Sequence, residues 1–404
     1  MYKRSFFKLT KPKFKYSLLK EEPFVTEIPL SDKAILLLEK ENIRAGELQS
    51  YIGKRLKTGQ IIKLNKADLI SPVTGTVIKI SQYTGYLNVG YYAVHIKTEE
   101  DEIVDPEEDY IPPSLPGIKN LRVLFSFDPP INHAVVMAVD TDLLITTNQL
   151  CFKNSFEYIK KGLNFITQRA KIGNITIVLF SDFASYAKEL GYKYYILKER
   201  YPNSLPKLVV KKVLKSFIPE GKEPEDMGIA FLNAEAVANM GIFYDGKWSF
   251  DKFVTFINKD YSIKHIKARI GTPVSHILNQ LGVQVEEGDR IIFGGPMRGK
   301  TIYSLETPID YDTDAIFVQD KAEIIPSSDT HCINCGECVK VCPVNVPVNM
   351  LIRLLENGLF EEAAKEYGLL SCIECGLCSY VCIARIPVFH YIMLGKHELS
   401  KMGE

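Results

Sequence analysis

The chain has 404 residues, 46% of them hydrophobic, which is material for two to four domains with substantial cores. Lysine plus arginine and aspartate plus glutamate stand at 49 each, so the molecule has no global positive charge to draw it to nucleic acid. No window reaches the eighteen or so apolar residues that span a bilayer, and a membrane role is expected only through association.

In chain order, the first feature is a basic arm over residues 1–22. Lys3, Arg4, Lys8, Lys11, Lys13, Lys15 and Lys20 come before any acid, interleaved with Tyr2, Phe6, Phe7, Phe14 and Tyr16. Such an arm suits an anionic membrane surface or a partner subunit; the plain alternative is a solvated tail or a strap across the first domain. It lacks the uninterrupted apolar stretch of a secretory signal.

Residues 23–110 read as a β domain, with short runs such as GKRLKTGQIIKL, ISPVTGTVIKI and YYAVHIKT punctuated by glycine. Ser71, Pro72 and Gly75 resemble the hairpin tip of lipoyl and biotin carriers, but Lys63 and Lys66 lack the methionine flanks, so ordinary surface lysines are expected. The acidic, proline-rich stretch 98–117 is a linker. Residues 111–260 are expected to form an α/β domain, because ITIVLF, a helical FASYAKELG and KYYILK alternate as β-α-β. Residues 261–327 read as a short helix among strands. Gly294, Gly295, Pro296 and Gly299 there are taken as turn punctuation rather than a ligand groove. Residues 328–404 are helical, with Val348, Leu351, Ile352 and Leu355 at helical spacing. The expected fold class is therefore multidomain α/β.

The chemistry lies in that last block. Cys332, Cys335, Cys338 and Cys342 follow C-x2-C-x2-C-x3-C-P, and Cys372, Cys375, Cys378 and Cys382 repeat the spacing. Three thiolates within seven residues wrap one corner of an iron–sulfur cubane, while the fourth points to the neighbouring cluster. Two [4Fe-4S] clusters are expected, one on Cys332, Cys335, Cys338 and Cys382, the other on Cys372, Cys375, Cys378 and Cys342. Structural zinc is the alternative, but paired C-x2-C zinc sites would leave four of these thiolates without a role. Pro343 follows the first motif and Ile383 the second, so only the second keeps a backbone N–H there. Cys151, the ninth cysteine, is expected to be a core thiol. No cysteine pattern suggests disulfides, which fits a reducing, cytoplasmic setting. No Ser/His/Asp set, paired carboxylates or histidine metal spacing stands out, and no catalytic residue is assigned.

The two cages, joined by a segment ending EEAAKEYGLLSCIECG, resemble the C subunit of the Rnf electron-transport complex. ARIGTPVSHIL and IIFGGPMRG resemble that family's β-grasp ligand-binding segment, and GKRLKTGQII with SPVTGTVIKI its N-terminal barrel-sandwich hybrid domain. YPNSLPKLVVKKVL and MGIAFLNAEAVANM sit where the family's flavin domain has related segments. The resemblance implies a barrel-sandwich domain (23–110), a Rossmann-like α/β domain (111–260), a β-grasp domain (261–327) and a helical two-cluster ferredoxin domain (328–404). It also implies a subunit lying on the inner face of the cell membrane. Such a subunit relays single electrons between a flavoprotein or soluble ferredoxin donor and a membrane-bound module.

One departure matters. The family's glycine-rich loop cradles flavin phosphate and nicotinamide dinucleotide with backbone N–H groups. Here that region reads DYIPPSLPGIKNLRVLFSFDPP, with Gly117 alone among prolines 112, 113, 116, 129 and 130, and the family's acidic stretch has only Asp140 and Asp142 as counterparts. FMN and NADH are therefore expected to be absent, and no self-contained NADH dehydrogenase activity is expected. The alternative is a flavin-dependent NADH, ferredoxin or cobalamin oxidoreductase subunit whose site is rebuilt, with Lys119 and Arg122 neutralising phosphate. A third reading is a non-redox adaptor whose clusters only staple the C-terminal helices.

Overall fold

The computed structural model describes residues 12–19, 23–64, 68–107 and 109–402. Most of the basic arm, and Lys66, lie outside the described residues. The chain divides into two units: one comprises residues 17–198 and 225–321, the other residues 199–224 and 322–404 together with the segment up to Tyr16.

The larger unit holds three main sheets. The first is antiparallel, with strand order Lys33–Glu39, Gly90–Thr98, Gly75–Thr84, Arg55–Leu56. Alternation decides its buried face: Ala34 and Leu36 pair in register with Ile96 and Val94, and all four join Leu48, Leu56, Val73 and Val77 in one core.

The second sheet is parallel, in the order Lys193–Ile196, Asn174–Leu179, His133–Met137, Ile229–Asn233. The expected β-α-β reading over 175–198 matches the strand Asn174–Leu179, the helix Ala184–Leu190 and the strand Lys193–Ile196. Its central strands are apolar on both faces, as helix-covered strands must be. Helices Phe156–Gln168 and Ala234–Tyr244 approach at two glycines. A Cβ on Gly162 would stand 1.9 Å from the Val237 carbonyl oxygen, and one on Gly241 1.9 Å from that of Tyr158. Any larger residue would force the helices apart.

The third sheet is mixed and six-stranded, ordered Val25–Glu27, Ile263–Arg269, Asp251–Ile257, Ala315–Gln319, Arg290–Phe293, Lys300–Ile302. The amphipathic helix Val274–Leu281 lays Val274, Ile277 and Leu278 onto it. Two boundaries here differ from expectation. Val25–Glu27, assigned to the first domain, adds to this sheet as an edge strand and satisfies the backbone of Ile263–Arg269. Asp251–Ile257, assigned to the α/β domain, is an interior strand of the same sheet.

The smaller unit contains the C-terminal helices and one segment that composition placed elsewhere. Residues 199–224 were expected inside the α/β domain, yet they group with the cysteine-bearing end. Their apolar side chains explain it: Tyr201, Leu205, Val209 and Val210 are buried, and Tyr201 meets Tyr16 at 5.6 Å between ring centres. Helix Val348–Glu356 buries Val348, Leu351, Ile352 and Leu355 as its spacing predicts, in a core shared with Ala363, Leu369, Val388 and Ile392.

Candidate metal centres

The cages are built by a repeat of forty residues that extends beyond the cysteines. Asn334 and Glu374 (φ 55° and 56°), Gly336 and Gly376 (φ 75° and 69°), and Asn345 and Arg385 (both φ 58°) occupy the left-handed region at matching positions. These reversals fold each motif back on itself, so that its first three cysteines converge. Short helices, Glu337–Val341 and Leu377–Val381, start after the glycines and carry Cys338 and Cys378 in their first turns. Each helix stops at the fourth cysteine, where the backbone turns extended (Cys342 ψ 122°, Cys382 ψ 112°) and directs that residue away from its own motif.

The fourth cysteines come to rest in crossed positions. One apolar-walled cavity is lined by Cys372, Cys375 and Cys378 together with Cys342, and is closed by Val344, Val348, Leu377, Phe389 and Ile392. Cys382 lies close enough to Cys338 to act on its charge, alongside Cys332 and Cys335. A zinc ion would need its thiolates gathered at about 2.3 Å around one point, whereas a cubane carries iron at four corners and holds them apart. No group of three or more His, Cys, Asp or Glu side chains among the described residues is arranged to hold a single metal ion. Four thiols around a shared volume fit an iron–sulfur cluster.

Burial sets the thiol chemistry before any cluster binds. It pushes Cys375 up to about 12, and Cys338 likewise to about 12 with Cys332 and Cys335 adding to the rise. Cys378 is also pushed well upward by burial. Cluster insertion at neutral pH must therefore expel protons. Backbone N–H groups oppose the rise: those of Val339, Leu377 and Ser379 act on Cys338, Cys375 and Cys378, and that of Glu374 stands 3.4 Å from Cys372 Sγ. Such N–H groups remain as donors to a bound cluster.

Elsewhere, Cys151 is fully buried beside Phe152 in the core of the parallel sheet, and burial pushes its thiol well up. Lys63 is exposed at the end of a short hairpin strand. The glycine loop 294–299 does line a cavity of ≈ 360 Å³, and its tightness has a specific cause. A Cβ on Gly295 would stand 2.6 Å from Asp142 Cγ, and the buried Asp142 carboxylate accepts from the backbone N–H groups of Leu143, Met297 and Arg298. Sequence reasoning missed this loop clasp, and also the Tyr201 and Lys396 contacts to the second cage; no local pattern signals partners so far apart along the chain.

The proline-rich loop is not an open cradle. Leu115 and Leu121 are buried, and the Gly117 N–H donates to the Tyr311 carbonyl at 2.7 Å. Asn233 caps helix Ala234–Tyr244 by accepting from Ala236 N–H at 2.7 Å and donates to the Gly117 carbonyl at 2.9 Å. Asn239 donates to the Pro116 carbonyl at 3.1 Å. A Cβ at Gly117 would lie 2.5 Å from the Ala236 nitrogen. The chain's own loop thus covers the helix N-terminus. Lys119 pairs with Asp310 and Asp312 at 2.8 and 2.9 Å, and Arg122 pairs with Asp68.

The 4Fe-4S dicluster domain family matches residues 324–383. The chain is 33% identical over 216 residues to the C subunit of the proton-translocating ferredoxin:NAD(+) oxidoreductase complex of Clostridium ljungdahlii, covering 52% of this chain and 46% of that protein. It is 30% identical over 173 residues to the C subunit of the ion-translocating oxidoreductase complex of Methanosarcina acetivorans, covering 43% and 39%. It is 29% identical over 262 residues to the C subunit of the complex of the same name in Buchnera aphidicola, covering 61% and 54%. The chain spans about half the length of these curated relatives, or less. The cysteine cages and the dicluster match give the chain a C-terminal iron–sulfur domain, and over about half of its length it is similar to C subunits of ion-translocating oxidoreductase complexes.

Proposed function

We propose that the chain is an electron-transfer subunit of a membrane-associated redox complex, relaying single electrons through two [4Fe-4S] clusters. Cys332, Cys335, Cys338 and Cys382 hold the first; Cys372, Cys375, Cys378 and Cys342 hold the second. The observation that carries this reading is the cavity in which Cys342 joins the three cysteines of the other motif. Crossed ligation brings the two clusters together, as single-electron tunnelling requires. When bound, the clusters supply the electron-accepting chemistry; the chain supplies thiolates, N–H donors and an apolar wall that excludes water.

The same reading assigns the antiparallel sheet to a barrel-sandwich hybrid domain, the parallel sheet to a Rossmann-like layer and the six-stranded sheet to a β-grasp domain. The partners are other subunits of the complex, including a membrane module, with a flavoprotein or soluble ferredoxin as donor. No helix among the described residues is long and apolar enough to cross a membrane. Attachment to the inner face of the cell membrane accordingly runs through those subunits.

In this proposal the α/β layer keeps its scaffold without a nucleotide. A flavin phosphate needs several converging N–H donors at a helix N-terminus. Here Pro116, Gly117 and Asn233 cover that end of helix Ala234–Tyr244, and the two cations that could compensate, Lys119 and Arg122, already face aspartates. Purified, cluster-replete protein is expected to release substoichiometric flavin on acid denaturation. Its visible iron–sulfur absorbance should bleach with dithionite and not with NADH. Stoichiometric flavin with rapid NADH bleaching would replace the relay by the dehydrogenase reading, and visible absorbance that dithionite cannot bleach reversibly would favour a purely structural staple.

A further inference from the structure

Because the two cages repeat at a fixed offset, their differences identify what each environment adds. Asn334 and Glu374 occupy the same left-handed turn, and Glu356 corresponds to Lys396. In the second cage the Lys396 ammonium donates to the Cys372 carbonyl at 2.8 Å and to Glu374 Oε1 at 2.7 Å, with its side chain only 15% exposed. In the first, the turn carries the neutral Asn334 amide, which accepts from Asn349 at 2.8 Å. The second cage has one more donor: the buried Tyr201 hydroxyl reaches the Cys375 carbonyl at 2.6 Å. Tyr201 is in turn flanked by Tyr16, whose hydroxyl accepts from Ser204 at 2.6 Å.

The cages also differ in depth. Cys375 and Cys378 are buried, whereas Cys332, Cys335 and Cys338 are half-exposed. Each added electron makes a thiolate-bound cluster more negative, so a deeper, less polar cage disfavours reduction. A nearby ammonium acts the other way, and at low exposure it is little screened. We propose that Lys396, held in place by Glu374, raises the reduction potential of the second cluster against the effect of burial and so keeps the deeper cluster an acceptor for the shallower one. Tyr201 is a positioning residue for the same cage, fixing the Cys375 peptide. The step needs no proton: one electron leaves the first cluster, which is oxidised, and enters the second, which is reduced, with no bond made or broken. This inference rests on the two-cluster ligation proposed above.

The test is a redox titration followed by electron paramagnetic resonance on the full, cluster-replete chain, with the second-cluster signal assigned by its loss in Cys372→Ala. Lys396→Met should lower that cluster's potential by the equivalent of about three- to tenfold in its reduction equilibrium, ~28–59 mV for one electron. Glu374→Gln should shift it upward, Lys396→Arg should leave it near the native value, and the first cluster should stay unmoved in all three. Tyr201→Phe should change the line shape of the second signal alone. Opposite shifts from Lys396→Met and Glu374→Gln are a signature that a merely structural contact does not give. Unchanged potentials with both clusters present, or shifts of the same sign, would overturn the proposal. If Lys396→Met fails to hold its cluster, Glu374→Gln decides alone: an upward shift supports the proposal and no shift ends it. A native chain that binds fewer than two clusters defeats the ligation reading instead, before any variant is compared.

Discussion

Under the crossed ligation proposed above, Cys382→Ala should abolish the cluster at Cys332, Cys335 and Cys338 while leaving the one at its own motif. The fourth residue of each motif leaves its helix on an extended backbone, and Cys382 thereby comes near Cys338 while Cys342 lines the opposite cavity. Alanine supplies no ligand to that cluster. Roughly half of the bound iron and sulfide should disappear, as expected when one of two equal clusters loses a ligand. Paramagnetic resonance of the dithionite-reduced protein should place Cys382→Ala with Cys332→Ala, and Cys342→Ala with Cys372→Ala. The opposite grouping would show that each motif ligates its own cluster.

The cages were legible because ligation chemistry fixes spacing and the spacing fixes the turns. A cubane demands three thiolates within a few residues, and the backbone that achieves this reverses at Asn334 and Gly336, then again at Glu374 and Gly376. The parallel sheet was legible for a different reason. Strand Asn174–Leu179 is buried on both faces from Ile175 to Leu179, so a nearly continuous apolar run marks it. What escaped sequence reasoning is long-range. Val25–Glu27 has three residues, too few to show a period, and it becomes a strand only because Ile263–Arg269 offers an unpaired edge. Residues 199–224 look like part of the α/β layer until the partners of Tyr201, Tyr16 and the Cys375 carbonyl, are known. The proline-rich loop was legible as a segment poor in N–H donors, but not as a plug, because its acceptors serve Asn233 and Asn239 far along the chain.

Glu235→Leu should cost the larger unit about 3–5 kcal/mol, the range for breaking a buried ion pair from one side. Lys252 is fully buried, its ammonium meets Glu235 Oε2, and Asp314 is 4.0 Å away. Burial works against the charge on Lys252, but Glu235 and Asp314 outweigh it and hold the ammonium protonated. The other Glu235 oxygen accepts from the Phe253 N–H at 2.8 Å, so the carboxylate ties helix Ala234–Tyr244 to strand Asp251–Ile257 twice. Leucine leaves a buried cation with one distant partner and an unpaired N–H. The double variant Glu235→Leu, Lys252→Met removes the charge as well, and should fall short of native by only about 1–3 kcal/mol, the cost of the orphaned N–H. Trp248 is the only tryptophan of the chain and stacks on Phe250 at 5.6 Å. Its fluorescence therefore reports unfolding of this unit, while iron–sulfur absorbance reports the other. Denaturant titrations read both probes, and the cycle yields the coupling between the two residues. A single variant losing less than about 1 kcal/mol, or a double variant no more stable than the single, would mean that the pair is not what holds this helix end. A pair that does hold it commits the acid in the helix's first turn to the core, where it joins helix Ala234–Tyr244 to strand Asp251–Ile257.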